Sequence, residues 1–216
     1  MALALPGFGA ALPAGFTPAK DAYAAWLAEE LAKITEPIDL VGHDWGALPT
    51  LRVATLGEVP PRSWVADVGS VFHPDYAWHP WATTLISPGD GEDSLRHRRE
   101  ADPGESLMLG NGVPAAAAAE MAAALDEDMS RGILGLYRSA VPNVAASWAP
   151  SRTSAPGLIL VPTADRVDDE MRSRDVAARL GARVELLDGM GHWWMYDRTG
   201  RVVSVLQQFW GAVTGS

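Results

Sequence analysis

Three residues of this chain have side chains suited to nucleophilic chemistry: Asp44, Asp165 and His192. A carboxylate is already ionised at pH 7 and needs no base to act as a nucleophile. Its attack on a saturated carbon yields a covalent alkyl ester. An imidazole can then activate water to hydrolyse that ester. A second carboxylate orients the imidazole and stabilises its charged form. An ester or amide substrate suits a carboxylate nucleophile poorly, because attack would give a mixed anhydride. The residue types therefore point to epoxides or alkyl halides. Epoxide opening needs an acid for the developing alkoxide, whereas halide departure needs N–H donors.

The elements around these residues are strands that turn into helices. Asp44 lies in VGHDWGA (41–47), between two glycines, where apolar Ile38, Leu40 and Val41 give way to a helical pattern. Asp165 follows the apolar run PGLILVP in LVPTADRVDD, and His192 follows RVELLDG in LLDGMGHWW. Strand character is expected at ALAL (2–5), PIDLVGH (37–43), SWVADVGS (63–70), PGLILVP (156–162) and RVELLDG (183–189). A hydroxyl cap at Thr17 before Pro18 predicts a helix start, with Tyr23, Trp26, Leu27, Leu31 and Ile34 at helical spacing. Further helices are expected over 45–57, with Gly57 at the end, and over 168–181 and 200–213.

Between Val71 and Ser151 the alternation stops. HPDYAWHPW and SPGDGEDS read as irregular, and PAAAAAEMAAALDEDM (114–129) and SRGILGLYRSAV (130–141) as helices. Strand–helix alternation interrupted once predicts a mostly parallel sheet with helices on both faces. Residues 1–70 and 152–216 then form the core, and 71–151 an inserted lid. Open parallel sheets bind ligands beyond the carboxyl ends of their strands. The three reactive residues all fall there.

GHDWG fits the small-x-nucleophile-x-small elbow with aspartate in place of serine. The chain order is nucleophile, acid, histidine. With PTAD and GHWW, the sequence resembles the α/β-hydrolase superfamily, and within it the branch of epoxide hydrolases and haloalkane dehalogenases. The resemblance implies an α/β-hydrolase fold of five to six strands under a short helical lid. It makes Asp44 the nucleophile, Asp165 the acid and His192 the base. RGILGLYRSAVPN is similar to the epoxide hydrolase lid segment that carries a ring-opening tyrosine, which nominates Tyr137. A second lid tyrosine has no clear match, and Tyr76 and Trp81 are the nearest candidates. A dehalogenase would instead use Trp45 plus Trp81 or Trp194 as halide donors. Some dehalogenases place the acid after the earlier strand, which here means Asp67 or Asp75. Asp168 and Asp169 rival Asp165, and either is equally a helix cap. PGFG (6–9) is either the oxyanion turn, making the Phe8 and Trp45 N–H groups donors, or a later strand–turn of the family. The leading expectation is epoxide hydrolysis to a diol. Dehalogenation, another α/β-hydrolase reaction and ligand binding without turnover are the alternatives.

Composition narrows the classes further. The chain has 216 residues, 48 % of them hydrophobic, which suits one domain with a small insertion. The absence of cysteine excludes disulfides, thiolate catalysis and cysteine-ligated zinc, and suits a reducing cytoplasm. Net charge is −10 with no basic stripe, which argues against nucleic acid as a partner. MALALPGFGAALPAGF carries no Lys or Arg before its apolar part, and Gly and Pro break it early, so it does not read as a leader. No apolar run approaches the roughly 20 residues of a membrane span. His43, His73, His79 and His97 show no metal-like spacing and read as structural or exposed. The expectation is a cytoplasmic enzyme without cofactor or metal, acting on a small apolar substrate, with a homodimer as candidate assembly. A neutral His192 is needed for hydrolysis of the ester, so activity is expected to fall below about pH 6–7 in a pH–rate profile.

Overall fold

A computed structural model describes residues 1–101 and 111–215. Residues 102–110, part of the expected lid, and Ser216 lie outside the described residues. The elements run α1 (Lys20–Ala32), β1 (Asp39–Gly42), α2 (Ala47–Leu56), β2 (Ser63–Ala66), α3 (Pro80–Ile86), α4 (Asp90–Glu100), α5 (Ala115–Ala124), α6 (Glu127–Arg138), β3 (Gly157–Pro162), α7 (Glu170–Leu180), β4 (Arg183–Leu187) and α8 (Thr199–Thr214). The chain divides into two compact units. A sheet unit comprises Ala24–Tyr76 and Pro142–Ser216, and a helical unit comprises Met1–Tyr23 and Ala77–Val141.

In the sheet unit four strands pair in the order β1-β2-β3-β4, all parallel. β2 and β3 are buried along their whole length, as central parallel strands should be. Val65, Leu158, Leu160 and Leu187 pack with Met190, Trp194, Val202, Val205 and Phe209. Burying such side chains contributes about 1.5–3 kcal/mol each. The register pairs Gly42 with Ala66, and Pro162 with Leu187. The residues just past these pairs leave the sheet at one rim. His43 and Asp44 emerge there beside Asp67.

The helical unit ties its N-terminal stretch to α6. The Tyr23 hydroxyl donates to the Pro6 carbonyl at 2.8 Å, and the Leu12 N–H to the Asp128 carboxylate at 3.1 Å. A side chain at Gly132 would strike Phe8 and Tyr23, and one at Gly135 would strike the Pro18 backbone. Arg138 grips Glu92 of α4 through two contacts of 2.7 Å, the bidentate fork that fixes guanidinium to carboxylate.

Several sequence expectations give way here. Residues 2–5 are irregular, and the sheet has four strands among the described residues rather than five or six. An apolar run such as ALAL is only a pattern, and a strand also needs a neighbour for its backbone groups. α1 begins at Lys20 rather than after Thr17, its first N–H being taken by Ser139 Oγ at 2.8 Å. The stretches expected to be irregular hold the starts of α3 and α4. The His79 ring nitrogen accepts from Ala82 N–H to cap α3, and the Glu92 carboxylate accepts from Gly89 N–H at the start of α4. The alanine helix stops at Ala124, because the Asp126 side chain accepts from Met129 N–H and starts α6 there.

The link from β1 to α2 is the tightest in the sheet unit. A Cβ at Gly42 would lie 2.4 Å from the Gly46 carbonyl oxygen and 2.5 Å from Thr50 Oγ1. A Cβ at Gly46 would meet nothing within 4 Å. The two glycines of GHDWG therefore differ, and only the first is sterically required. Chemical denaturation should show Gly42→Ala costing about 1–3 kcal/mol through overpacking. Gly46→Ala should stay within about 0.5 kcal/mol of the parent.

Candidate active site

Asp44 begins a single 3-10 turn, Asp44–Gly46, between β1 and α2. Its φ is +50°, a left-handed value that costs energy for any residue with a Cβ. The turn pushes the side chain out of the sheet, and Asp44 is 43 % exposed. His192 presents Nε2 to Asp44 Oδ1 at 3.8 Å and Nδ1 to Asp165 Oδ2 at 2.8 Å. Asp165 is only 2 % exposed, and its other oxygen accepts from Val167 N–H at 2.9 Å. With Nδ1–H donating to Asp165, the remaining nitrogen of His192 faces Asp44. The three residues thus form a line in the order Asp44, His192, Asp165.

Charge in this line falls on the imidazole. Burial pulls the His192 imidazolium down, but the Asp165 hydrogen bond and the charges of Asp44, Asp165 and Asp67 outweigh it, and the group is pushed up to about 9. His192 is therefore protonated at pH 7 in the free protein. A neutral base titrating at pH 6–7 does not describe this resting site. Three nearby anions hold the proton on.

Asp67 follows β2 and is 1 % exposed. Its carboxylate accepts from Asp44 N–H at 2.9 Å and Trp194 Nε1–H at 2.7 Å, and meets His43 Nδ1 at 2.5 Å. Burial pushes the Asp67 carboxyl up, but these three partners outweigh it and hold it below the usual carboxylate range. Asp67 does not occupy the orienting position on His192. Asp75 is exposed and contacts His73. Asp169 caps α7 by accepting from Arg172 N–H, and Asp168 accepts from Ser70 N–H and Ser173 Oγ–H. The structure thus separates five neighbouring aspartates by partner, and Asp165 is the one on His192.

An elbow of this geometry is where an α/β-hydrolase carries its nucleophile. The family model described as "Alpha/beta hydrolase family" matches residues 1–205. The chain belongs to the alpha/beta hydrolase family. No curated protein matches its sequence. Among solved structures it is similar to haloalkane dehalogenase DbeA from Bradyrhizobium elkani, at 18 % identity and a TM-score of 0.72 over 98 % of this chain and 80 % of that one. It is similar to 2-hydroxy-6-oxo-6-phenylhexa-2,4-dienoate hydrolase from Rhodococcus sp., at 18 % identity and 0.67 over 94 % and 76 %. MenH from S. aureus follows at 16 % identity and 0.65 over 97 % and 82 %. At these identities the likeness is one of fold.

The remaining nominated residues of this alpha/beta hydrolase divide between the units. In the sheet unit, Trp45 is buried directly after Asp44, and Trp194 has committed its N–H to Asp67, so Trp194 is not available as a halide donor. Tyr76 is buried, and its hydroxyl lies 3.4 Å from the Val167 carbonyl. Burial raises the Tyr76 phenol, and the charges of Asp168, Asp44 and Asp165 raise it further, so it stays protonated. In the helical unit, Tyr137 is buried among the rings of Trp78, His79 and Trp81. The Trp81 indole N–H is buried without a partner among the described residues, and the Arg98 guanidinium lies 4.4 Å over its ring. The Phe8 N–H donates to the Leu5 carbonyl at 2.8 Å. That amide is spent inside its own turn, which removes Phe8 as an oxyanion donor.

A groove of about 580 Å³ lies elsewhere on the sheet unit, lined by Pro37, Pro60, Pro61 and Pro156 among others. These residues precede β1, β2 and β3, at the rim opposite Asp44. Among the described residues no helix is long and apolar enough to cross a membrane.

The raised His192 value has a measurable consequence. A free imidazole titrates near pH 6.5, so its stabilising contribution is complete below that and is lost as pH rises through about 9. Urea midpoints should therefore fall between pH 6.5 and 9.5, and His192→Gln should remove that part of the slope. Asp44→Asn keeps the shape and deletes one anion. An NMR titration of His192 in that variant should show proton affinity reduced about tenfold or more.

Proposed function

We propose that this alpha/beta hydrolase opens epoxides of small apolar substrates to diols through an alkyl ester on Asp44. The observation that carries the reading is an aspartate, not a serine, at the strained elbow, with its carboxylate facing a histidine backed by a buried carboxylate. One carboxylate oxygen of Asp44 attacks a ring carbon. The carbon–oxygen bond of the ring breaks, and its electron pair goes to the departing oxygen. A phenol donates a proton to that oxygen, giving a hydroxyalkyl ester. Water then attacks the ester carbonyl of Asp44, with His192 removing its proton. The diol leaves, and Asp44 keeps one oxygen from water.

The protonated resting state of His192 fits this order. Ester formation removes the negative charge of Asp44, which is one of the charges holding the proton on the imidazole. With that charge gone the imidazole releases its proton more readily, and the proton returns to the phenolate left by ring opening, so that His192 is neutral when water attacks the ester. Asp165 keeps the ring oriented throughout.

Two phenols are candidates for the donation. Tyr137 is nominated by the lid-like segment RGILGLYRSAVPN. Tyr76 has the support of its charge coupling to Asp44 and Asp165. The second reading is halide removal from haloalkanes. The Trp81 N–H, buried without a partner among the described residues, favours it. With Trp194 committed to Asp67, the donors in that reading are Trp45 and Trp81.

A panel of epoxides and haloalkanes, with free halide as one readout, separates the two. Single turnover in ¹⁸O-water should place label in Asp44 and none in the first product; label in that product would mean direct attack by water. His192→Gln should accumulate an alkyl-enzyme adduct by mass spectrometry. General-acid help is typically worth about 10²–10⁴-fold. Tyr137→Phe or Tyr76→Phe should lose that factor in the alkylation rate on epoxides, with little change in melting temperature. For a dehalogenase both changes should leave the rate near that of the parent, and Trp81→Phe should be the damaging one.

A further inference from the structure

The buried carboxylate behind the elbow is unexplained by the reaction itself. Asp67 touches neither the attacking oxygen nor the base, yet it is an almost fully buried anion. An isolated one would cost several kcal/mol to desolvate. It binds three groups on two segments: the Asp44 N–H, the His43 ring and the Trp194 indole. The segment ending at Trp194 also carries His192. The backbone next to Asp67 is strained as well. Val68 has φ +45°, a left-handed value that is a marked outlier for a β-branched residue. Two such turns therefore stand side by side at the ends of neighbouring strands, at Asp44 and at Val68, and the Asp67 carboxylate joins them. Strain of this kind persists only where surrounding contacts over-determine it.

We infer that Asp67 is a positioning residue: its carboxylate, aimed by the Val68 turn, clamps the Asp44 backbone and the Trp194 segment so that the nucleophile and His192 keep one spacing. The ring of His43 completes the clamp. It bonds Asp67 through Nδ1 and lies 4.8 Å from the His192 ring and 5.1 Å from the Trp193 ring, centre to centre. For its catalytic consequence the inference rests on Asp44 being the nucleophile. For the clamp itself it does not.

Asp67→Asn keeps the shape but turns an acceptor toward Trp194 and His43 into an NH₂ group. Native-state hydrogen exchange on the full chain reads the clamp without any substrate. The Asp44 amide should exchange at least tenfold faster, while the core amides of Ile159 and Leu160 keep their rates. Trp194→Phe removes one donor and should accelerate the same amide by a smaller factor; it decides the matter alone if Asp67→Asn does not fold. Equal acceleration of Asp44 and the core amides would mean that Asp67 only stabilises the fold, and an unchanged Asp44 amide would mean no clamp. Either result overturns the inference. On an active substrate the alkylation rate should drop about tenfold or more with KM nearly constant, since misplacement of about 1 Å can cost 10²-fold. If ¹⁸O labelling shows that Asp44 is not the nucleophile, the exchange result still tests the clamp.

Discussion

The left-handed backbone of Asp44 is the constraint around which the sheet unit is arranged. A residue with a Cβ does not rest at φ +50° unless its neighbours hold it there. Gly42 lets α2 come close enough for the Gly46 carbonyl and Thr50 to fill the space where a side chain would be. The Thr50 hydroxyl donates to that carbonyl at 2.9 Å, which ties the first turn of α2 back to the elbow. Asp67 takes the Asp44 N–H from the other side. Asp44 is thus fixed by its backbone, while its carboxylate stays partly exposed. A serine at the same turn would need a neutral base from the outset. An aspartate is already charged, and here it faces the imidazole at 3.8 Å without a short hydrogen bond to it.

Electrostatics in the site follow from how unequally its carboxylates are buried. Asp67 and Asp165 are almost inaccessible, whereas Asp44 is 43 % exposed. The buried pair are saturated with donors, Asp67 from His43, Trp194 and the Asp44 amide, Asp165 from His192 and Val167. The imidazole lies between Asp165 and Asp44 and takes its charge from these surroundings. An environment of three anions makes the resting His192 a cation rather than a base. Chemistry that neutralises Asp44 then changes the one charge in the group that is free to change.

That Asp44, Asp165 and His192 meet was legible in the sequence because each follows an apolar strand, and parallel strands deliver such residues to one rim. The same logic failed for Asp67. It also follows a strand, so it reads as a rival acid. What distinguishes it is register: Gly42 pairs with Ala66, which sets Asp67 beside His43 one step later, and pairing register is not visible in an isolated strand. The two glycines of GHDWG look equivalent in sequence, yet only Gly42 is crowded. ALAL reads as a strand because an apolar run is a local feature, whereas strand formation is not. α3 and α4 were hidden because proline and glycine at their starts look like loop residues. In the fold those residues stand at first-turn and cap positions.

Trp194 shows why residue type alone underdetermines a site. Its indole has one donor, and a donor that satisfies a buried carboxylate cannot also solvate a leaving group. The choice is made by energetics. Leaving the Asp67 charge short of a partner would cost more than one exposed hydrogen bond to a ligand returns. The same accounting removes the Phe8 amide, which its own turn consumes. It does not remove Trp81, whose buried N–H is unanswered among the described residues. A buried donor without an acceptor is a standing cost to the fold. Of the indoles nominated in the sequence, Trp81 is therefore the one that carries such a cost among the described residues.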